Sequence, residues 1–188
     1  MSFNPFAPAH KLAAAIRQRK IGSLELLNAY LKRVEQFNPL LNAIVVLDVE
    51  NARKQARAAD RLTLRGQWNG PLHGLPMTIK ESFDIAGLPS TWGRADMKHY
   101  LPDVDADAVK RYKQAGAIFF GKTNVPTMLA DWQTFNPVYG TTNNPWNVSL
   151  VPGGSSGGSA AALAAGLTAL ETGSDIGASI RDPSHYCR

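Results

Sequence analysis

Between Pro152 and Arg181 the chain reads Pro-Gly-Gly-Ser-Ser-Gly-Gly-Ser-Ala, then an alanine-rich run, then Gly-Ser-Asp-Ile-Gly-Ala-Ser-Ile-Arg. No other stretch limits the fold as sharply. Six glycines (Gly153, Gly154, Gly157, Gly158, Gly173, Gly177) stand beside five serines (Ser155, Ser156, Ser159, Ser174, Ser179). Hydroxyls are thereby placed among backbone N–H groups that no Cβ obstructs, a combination suited to acyl-transfer chemistry or anion binding. A flexible Gly/Ser linker has similar composition. A linker would not carry the apolar runs Ala160 to Ala165 and Leu167 to Leu170, which predict a buried helix followed by a strand.

The remaining pattern alternates helix and strand. A short helix is expected over His10 to Arg19 and a second after Ser23 as N-cap, carrying Leu26, Leu27, Tyr30, Leu31, Val34 and Phe37 at helical spacing until Asn38-Pro39 stops it. Ile44 to Leu47 predicts a strand and Val49 to Leu64 a helix. Within Leu72 to Asp84 an apolar strand of about four residues ends on Lys80, followed by a polar turn; in α/β sheets chemistry gathers where strands end. Gly87 to Asp103 reads as loop, Asp105 to Gln114 as helix, Ala117 to Phe120 as strand with Gly121-Lys-Thr-Asn124 as the turn after it, and Asn136 to Val151 as a long loop. The alternation without repeats predicts one α/β domain with a mixed, largely parallel sheet flanked by helices. Within it, residues 1–66 form a helical lead-in and 67–188 the sheet segment that carries the chemistry.

Composition narrows function by exclusion. The 188 residues are 44% apolar and 19% charged, as in a folded globular domain, and the net charge of +5 is scattered with no basic cluster interleaved with aromatics, so no nucleic-acid partner is expected. The N-terminus has no charged segment leading into an apolar one, and no apolar run is long enough to span a bilayer; a cytoplasmic location without membrane contact is expected. The single cysteine, Cys187, excludes an internal disulfide framework. The histidines His10, His73, His99 and His185 lack metal-ligand spacing, so no metal site is expected.

Two motifs mislead. Gly116 to Thr123 fits a glycine, four residues, then Gly-Lys-Thr, but the four intervening residues are themselves the strand and Val125-Pro126 follows where a helix should start. Gly154-Ser-Ser-Gly-Gly158 fits a nucleophile elbow centred on Ser156, yet only His185 lies downstream to serve it. Without histidine, the candidate base is a lysine whose pKa burial has lowered. Lys80 is placed for this, although it could instead be a surface lysine paired with Glu81 or Asp84. Ser155 and Ser179 are the hydroxyls it would serve.

Three motifs in order, Gly74-Leu-Pro-Met-Thr-Ile-Lys80, Pro152 to Ser159 and Gly173 to Arg181, resemble those of the amidase signature family. Glu81 to Pro89 and Gly121 to Asn124 are similar to it as well, so the resemblance covers essentially the whole chain. It implies the amidase signature fold and a Ser–Ser–Lys triad without cofactor: Ser179 as nucleophile, Ser155, after an unusual cis peptide bond, as proton relay, and Lys80 as base. Ser156 would support by hydrogen bonding, Asp175 and Arg181 would orient the turn, and the N–H groups of Ile176, Gly177, Ala178 and Ser179 would form the oxyanion hole. The implied reaction is hydrolysis of a small-molecule carboxylic amide to acid and amine or ammonia through an acyl-enzyme, with a homodimer as one assembly open to a full-length enzyme. Two other readings stand beside it: the amidase subunit of a glutamine-dependent tRNA amidotransferase, and a catalytically dead remnant with a binding role.

The chain departs from the family pattern in places. Ala178 stands where the family has a second glycine, which costs on the order of 1 kcal/mol if φ is positive there. Asp182 follows Arg181 and could draw it away from Asp175. The family domain continues through further strands beyond a point equivalent to Arg188, so a truncated, impaired amidase is expected, with its acyl pocket outside this sequence.

Overall fold

The computed structural model describes residues 4–188. Apolar residues at helical spacing place Leu26, Leu27, Tyr30 and Val34 on the buried face of α2 (Ser23–Leu41), which packs with α1 (Ala9–Arg17) and α3 (Val49–Leu64). Gly22, not Ser23, caps α2. The carboxylate of Asp60, on α3, accepts the N–H groups of Ser23 (2.6 Å) and Leu24 (3.1 Å), so the orphan donors of the first turn are satisfied across the helix pair. Pro39 does not stop the helix, which runs to Leu41 and closes on Asn42 in the left-handed region (φ 50°). The ring falls in the last turn, where its missing N–H forfeits a single bond. Asn38 completes the turn by accepting from Ala43 and Ile44 and donating to the Ile44 carbonyl.

The central sheet is mixed, in the order β1 (Ile44–Leu47), β3 (Ile118–Thr123), β2 (Pro76–Lys80), with β1 antiparallel and β2 parallel to β3. The expected turn at Gly121 to Asn124 is strand as far as Thr123. Gly121 makes this feasible, because a Cβ there would lie 2.5 Å from the Val46 carbonyl oxygen of β1. The Gly-Lys-Thr sequence is therefore strand rather than phosphate loop. The Leu167 to Leu170 run is not a strand but an extended segment beside β2, with Thr78 N–H shared between Leu170 O (3.3 Å) and Thr168 Oγ1 (3.1 Å), and Lys80 N–H on Thr172 O (3.0 Å). The Thr168 hydroxyl competes for the ladder donor.

Two apolar layers sandwich this sheet. Ile118 and Phe120 join Leu75 and the helices on one face, while Met77, Ile79, Ala117 and Phe119 pack under α4 (Asp107–Gln114) on the other. Helix α4 starts at Asp107 rather than Asp105, whose carboxylate accepts the Ala86 N–H and pairs with Lys113. The 136–151 loop drapes over one end, holding only the two-residue strands β4 (Phe135–Asn136) and β5 (Gly140–Thr141). Helix α5 (Gly157–Ala164) lies directly on the end of β3: a Cβ on Gly158 would meet the Asn124 backbone nitrogen at 2.4 Å. A short helix, α6 (Arg181–Tyr186), closes the described chain. No helix among the described residues is long and apolar enough to cross a membrane.

Candidate active site

Strand alternation decides where Lys80 goes. Met77 and Ile79 point into the α4 layer, so Thr78 and Lys80 face the opposite side, toward the N-terminus of α5. Lys80 is completely buried and pairs with neither Glu81 nor Asp84. Its Nζ lies 2.7 Å from Ser155 Oγ and 2.9 Å from Ser174 Oγ. Burial pushes the ammonium pKa down from 10.5 to about 8, partly opposed by the charge of Asp175. Glu81 is occupied elsewhere: its buried carboxylate accepts the N–H groups of Thr91 and Trp92.

Ser155 follows a cis Gly154–Ser155 peptide and precedes α5. Ser156 bridges outward from the same loop: its N–H donates to the Ser179 carbonyl at 3.1 Å, and its hydroxyl contacts both the N–H and the carbonyl of Ser174 at 3.3 Å. Ser155, Ser156 and Ser179 are all buried. The Ser179 hydroxyl makes no hydrogen bond among the described residues, so Lys80 and Ser155 are in contact while Ser179 is tied to their loop through its carbonyl on the Ser156 N–H.

The turn that carries Ser179 is built on Asp175. Its carboxylate accepts the N–H groups of Ala178 (2.9 Å), Ile180 (3.0 Å) and Arg181 (3.2 Å) and pairs with the Arg181 guanidinium through both oxygens. The guanidinium bonds first, then the Ile180 N–H, hold this carboxyl well below the usual range. Asp182 does not compete for Arg181; it accepts the Gly154 N–H at 3.0 Å. Ala178 is left-handed, with φ 77°. In that conformation its N–H, one of the four expected oxyanion donors, donates to Asp175. The N–H groups of Ile176, Gly177 and Ser179 have no partner among the described residues.

Ser174, as a second hydroxyl on Lys80, has no signal in the sequence beyond membership of the serine cluster. Neither has Trp132, whose indole N–H donates to the Gly177 carbonyl at 2.9 Å, nor Glu171, where burial raises the carboxyl pKa from 4.5 to about 8 against the bond from Thr78. Lys122, the lysine of the phosphate-loop lookalike, is buried on Ser90 and the Pro89 carbonyl. His185 packs edge-on against Tyr186, and His73 is held by Asn69 and Thr63.

The family model described as Amidase matches residues 25–188. The chain belongs to the amidase signature family. Indoleacetamide hydrolase of Bradyrhizobium diazoefficiens is 44% identical over 173 residues, covering 92% of this chain and 33% of that relative. A glutamyl-tRNA(Gln) amidotransferase subunit of Carboxydothermus hydrogenoformans is 38% identical over 182 residues, with 97% and 38% covered. Among solved structures, fatty acid amide hydrolase superposes with a TM-score of 0.93 at 30% identity, covering 97% of this chain and 32% of that one. This amidase-family chain thus spans about a third of the length of the curated relatives it matches.

Proposed function

We propose that this chain carries the catalytic centre of an amide hydrolase working through a Ser–Ser–Lys triad. The 2.7 Å contact between a buried lysine, with its pKa lowered to about 8, and Ser155 carries the reading, because it supplies a base that is partly neutral near physiological pH. Ser179 Oγ attacks the amide carbonyl while its proton passes to Ser155, and the Ser155 proton passes to Lys80. The oxyanion is met by N–H groups of Ile176, Gly177 and Ser179; losing one such donor costs about 3–4 kcal/mol of barrier. On collapse the proton returns through Ser155 to the leaving nitrogen, and Lys80 becomes neutral again. Water, deprotonated along the same path, then cleaves the Ser179 ester to acid.

A space of about 520 Å³ beside Ser179, lined by Leu129, Ala130, Asp131, Trp132, Ile176 and Gly177, supports a substrate with an apolar group next to the amide. Indoleacetamide hydrolase and fatty acid amide hydrolase carry names that fit such substrates. The amidotransferase reading has support from the identity to glutamyl-tRNA(Gln) amidotransferase sequences, and would replace an apolar amide with glutamine as ammonia donor. Hydroxylamine separates these. With phenylacetamide or indoleacetamide as acyl donor, hydroxamate formation that is abolished in Ser179→Ala fits the proposal; hydroxamate from glutamine alone supports the alternative. Hydroxamate from neither, with a correctly folded chain, refutes acyl transfer.

A further inference from the structure

The left-handed Ala178 poses a physical problem. An L-residue at φ 77° is disfavoured against its ordinary conformations, because its Cβ crowds the neighbouring carbonyl oxygen. Relaxation to negative φ would rotate the peptides on either side of it, including the one that presents the Ser179 N–H. The neighbouring groups must therefore hold the residue where it is.

The Gly177–Ala178 peptide is pinned at both poles. Its N–H donates to Asp175 Oδ1 at 2.9 Å, and its carbonyl accepts the indole N–H of Trp132 at 2.9 Å. The Ala178 carbonyl in turn accepts the Asp182 N–H at 2.8 Å. Asp175 and Asp182 belong to the same local segment as Ala178, whereas Trp132 reaches in from the loop after β3. The Trp132 side chain is not there for burial, since the residue is 64% exposed. Its directional contact with Gly177 is what its position achieves.

Building on the proposed oxyanion role of this turn, we propose that Trp132 is a positioning residue: its indole N–H locks the Gly177–Ala178 peptide so that alanine can occupy a left-handed position. The donors of Gly177 and Ser179 flank that peptide and keep their direction only while it is fixed. Glycine at 178 has no left-handed penalty, so the need for the indole bond follows from the alanine.

A double-mutant cycle tests this in the full chain, with Trp132→Phe removing the donor while keeping an aromatic ring, and Ala178→Gly removing the penalty. Ser179 labelling by a fluorophosphonate should slow about 5- to 10-fold in Trp132→Phe, from the loss of one net hydrogen bond. The fall should lie in the first-order inactivation step rather than in probe affinity, with the variant still fully folded under the assay conditions. In the Ala178→Gly background the same substitution should cost less than about 2-fold. An equal fall in both backgrounds, or none in either, overturns the proposal. Hydrogen exchange of the Ala178 amide gives a readout independent of chemistry: Trp132→Phe should accelerate it about 5-fold, and unchanged exchange also overturns the role of Trp132. Absent Lys80-dependent labelling with accelerated exchange would count against the hydrolase reading and leave the lock standing.

Discussion

The backbone N–H of Gly154 donates to the carboxylate of Asp182 at 3.0 Å. This bond fastens the loop of the proposed relay serine to the first turn of α6, directly after the turn of the proposed nucleophile. With the Ser156 N–H on the Ser179 carbonyl, it makes a pair of backbone ties across the site that leaves the Ser155 hydroxyl to Lys80 and the Ser179 hydroxyl without a hydrogen bond among the described residues.

Asp182→Ala should therefore lower stability by about 1.5–3 kcal/mol, the range for a hydrogen bond to a charged group, and Asp182→Asn should recover most of it because an amide oxygen still accepts from Gly154. Denaturant unfolding of the two variants checks this; equal losses would mean that the charge rather than the bond matters.

Ser174→Ala should leave the chain folded but reduce reaction at Ser179 by roughly 10-fold, since Lys80 Nζ loses one of its two hydroxyl partners and is free to swing from Ser155. Ser174→Thr, which keeps the hydroxyl, should retain most of the rate. Parallel rate measurements on the two variants decide it.

The base must be neutral, so reaction at Ser179 should rise with pH through about 8 and level off above it. Stability has the same sign from this group: between about 8 and 10.5 the unfolded chain holds a proton that folded Lys80 has lost, so unfolding free energy increases with pH. Lys122, lowered by burial to about 8, adds to the slope. Lys80→Met should flatten part of this rise in a pH series of unfolding curves and leave the Lys122 share.

Glu171 works in the opposite direction. Its folded pKa is raised to about 8 from 4.5, so its stabilising contribution is complete below 4.5 and is lost as pH rises toward 8 and beyond. Glu171→Gln should remove that decline between pH 5 and 8 while keeping an acceptor for Thr78. An unchanged slope would show that the carboxyl is ionised in the fold.

The sequence disclosed what is local. Lys80 at a strand end, the serine loop before a helix and the Asp175–Arg181 pair are all contained in short motifs, and alternation along β2 suffices to aim Lys80. It failed where neighbours decide. Pro39 lies in α2 because a last-turn position tolerates the missing donor, β3 continues through Gly121 because β1 approaches too closely for a side chain, and Leu167 to Leu170 is not a strand because Thr168 takes part of its partner's donor. Trp132 and Ser174 act across segments distant in the chain, and no periodicity encodes such contacts. Nor does the motif disclose that Ala178 is left-handed and gives its N–H to Asp175.

The triad itself is tested most directly by treating the chain and its Lys80→Ala variant with a fluorophosphonate and mapping the adduct by peptide mass. Labelling at Ser179, reduced by at least about 1000-fold in Lys80→Ala with the fold retained, is the predicted result. Labelling that persists without Lys80, or that falls on another serine, would contradict a lysine-driven serine nucleophile in this protein.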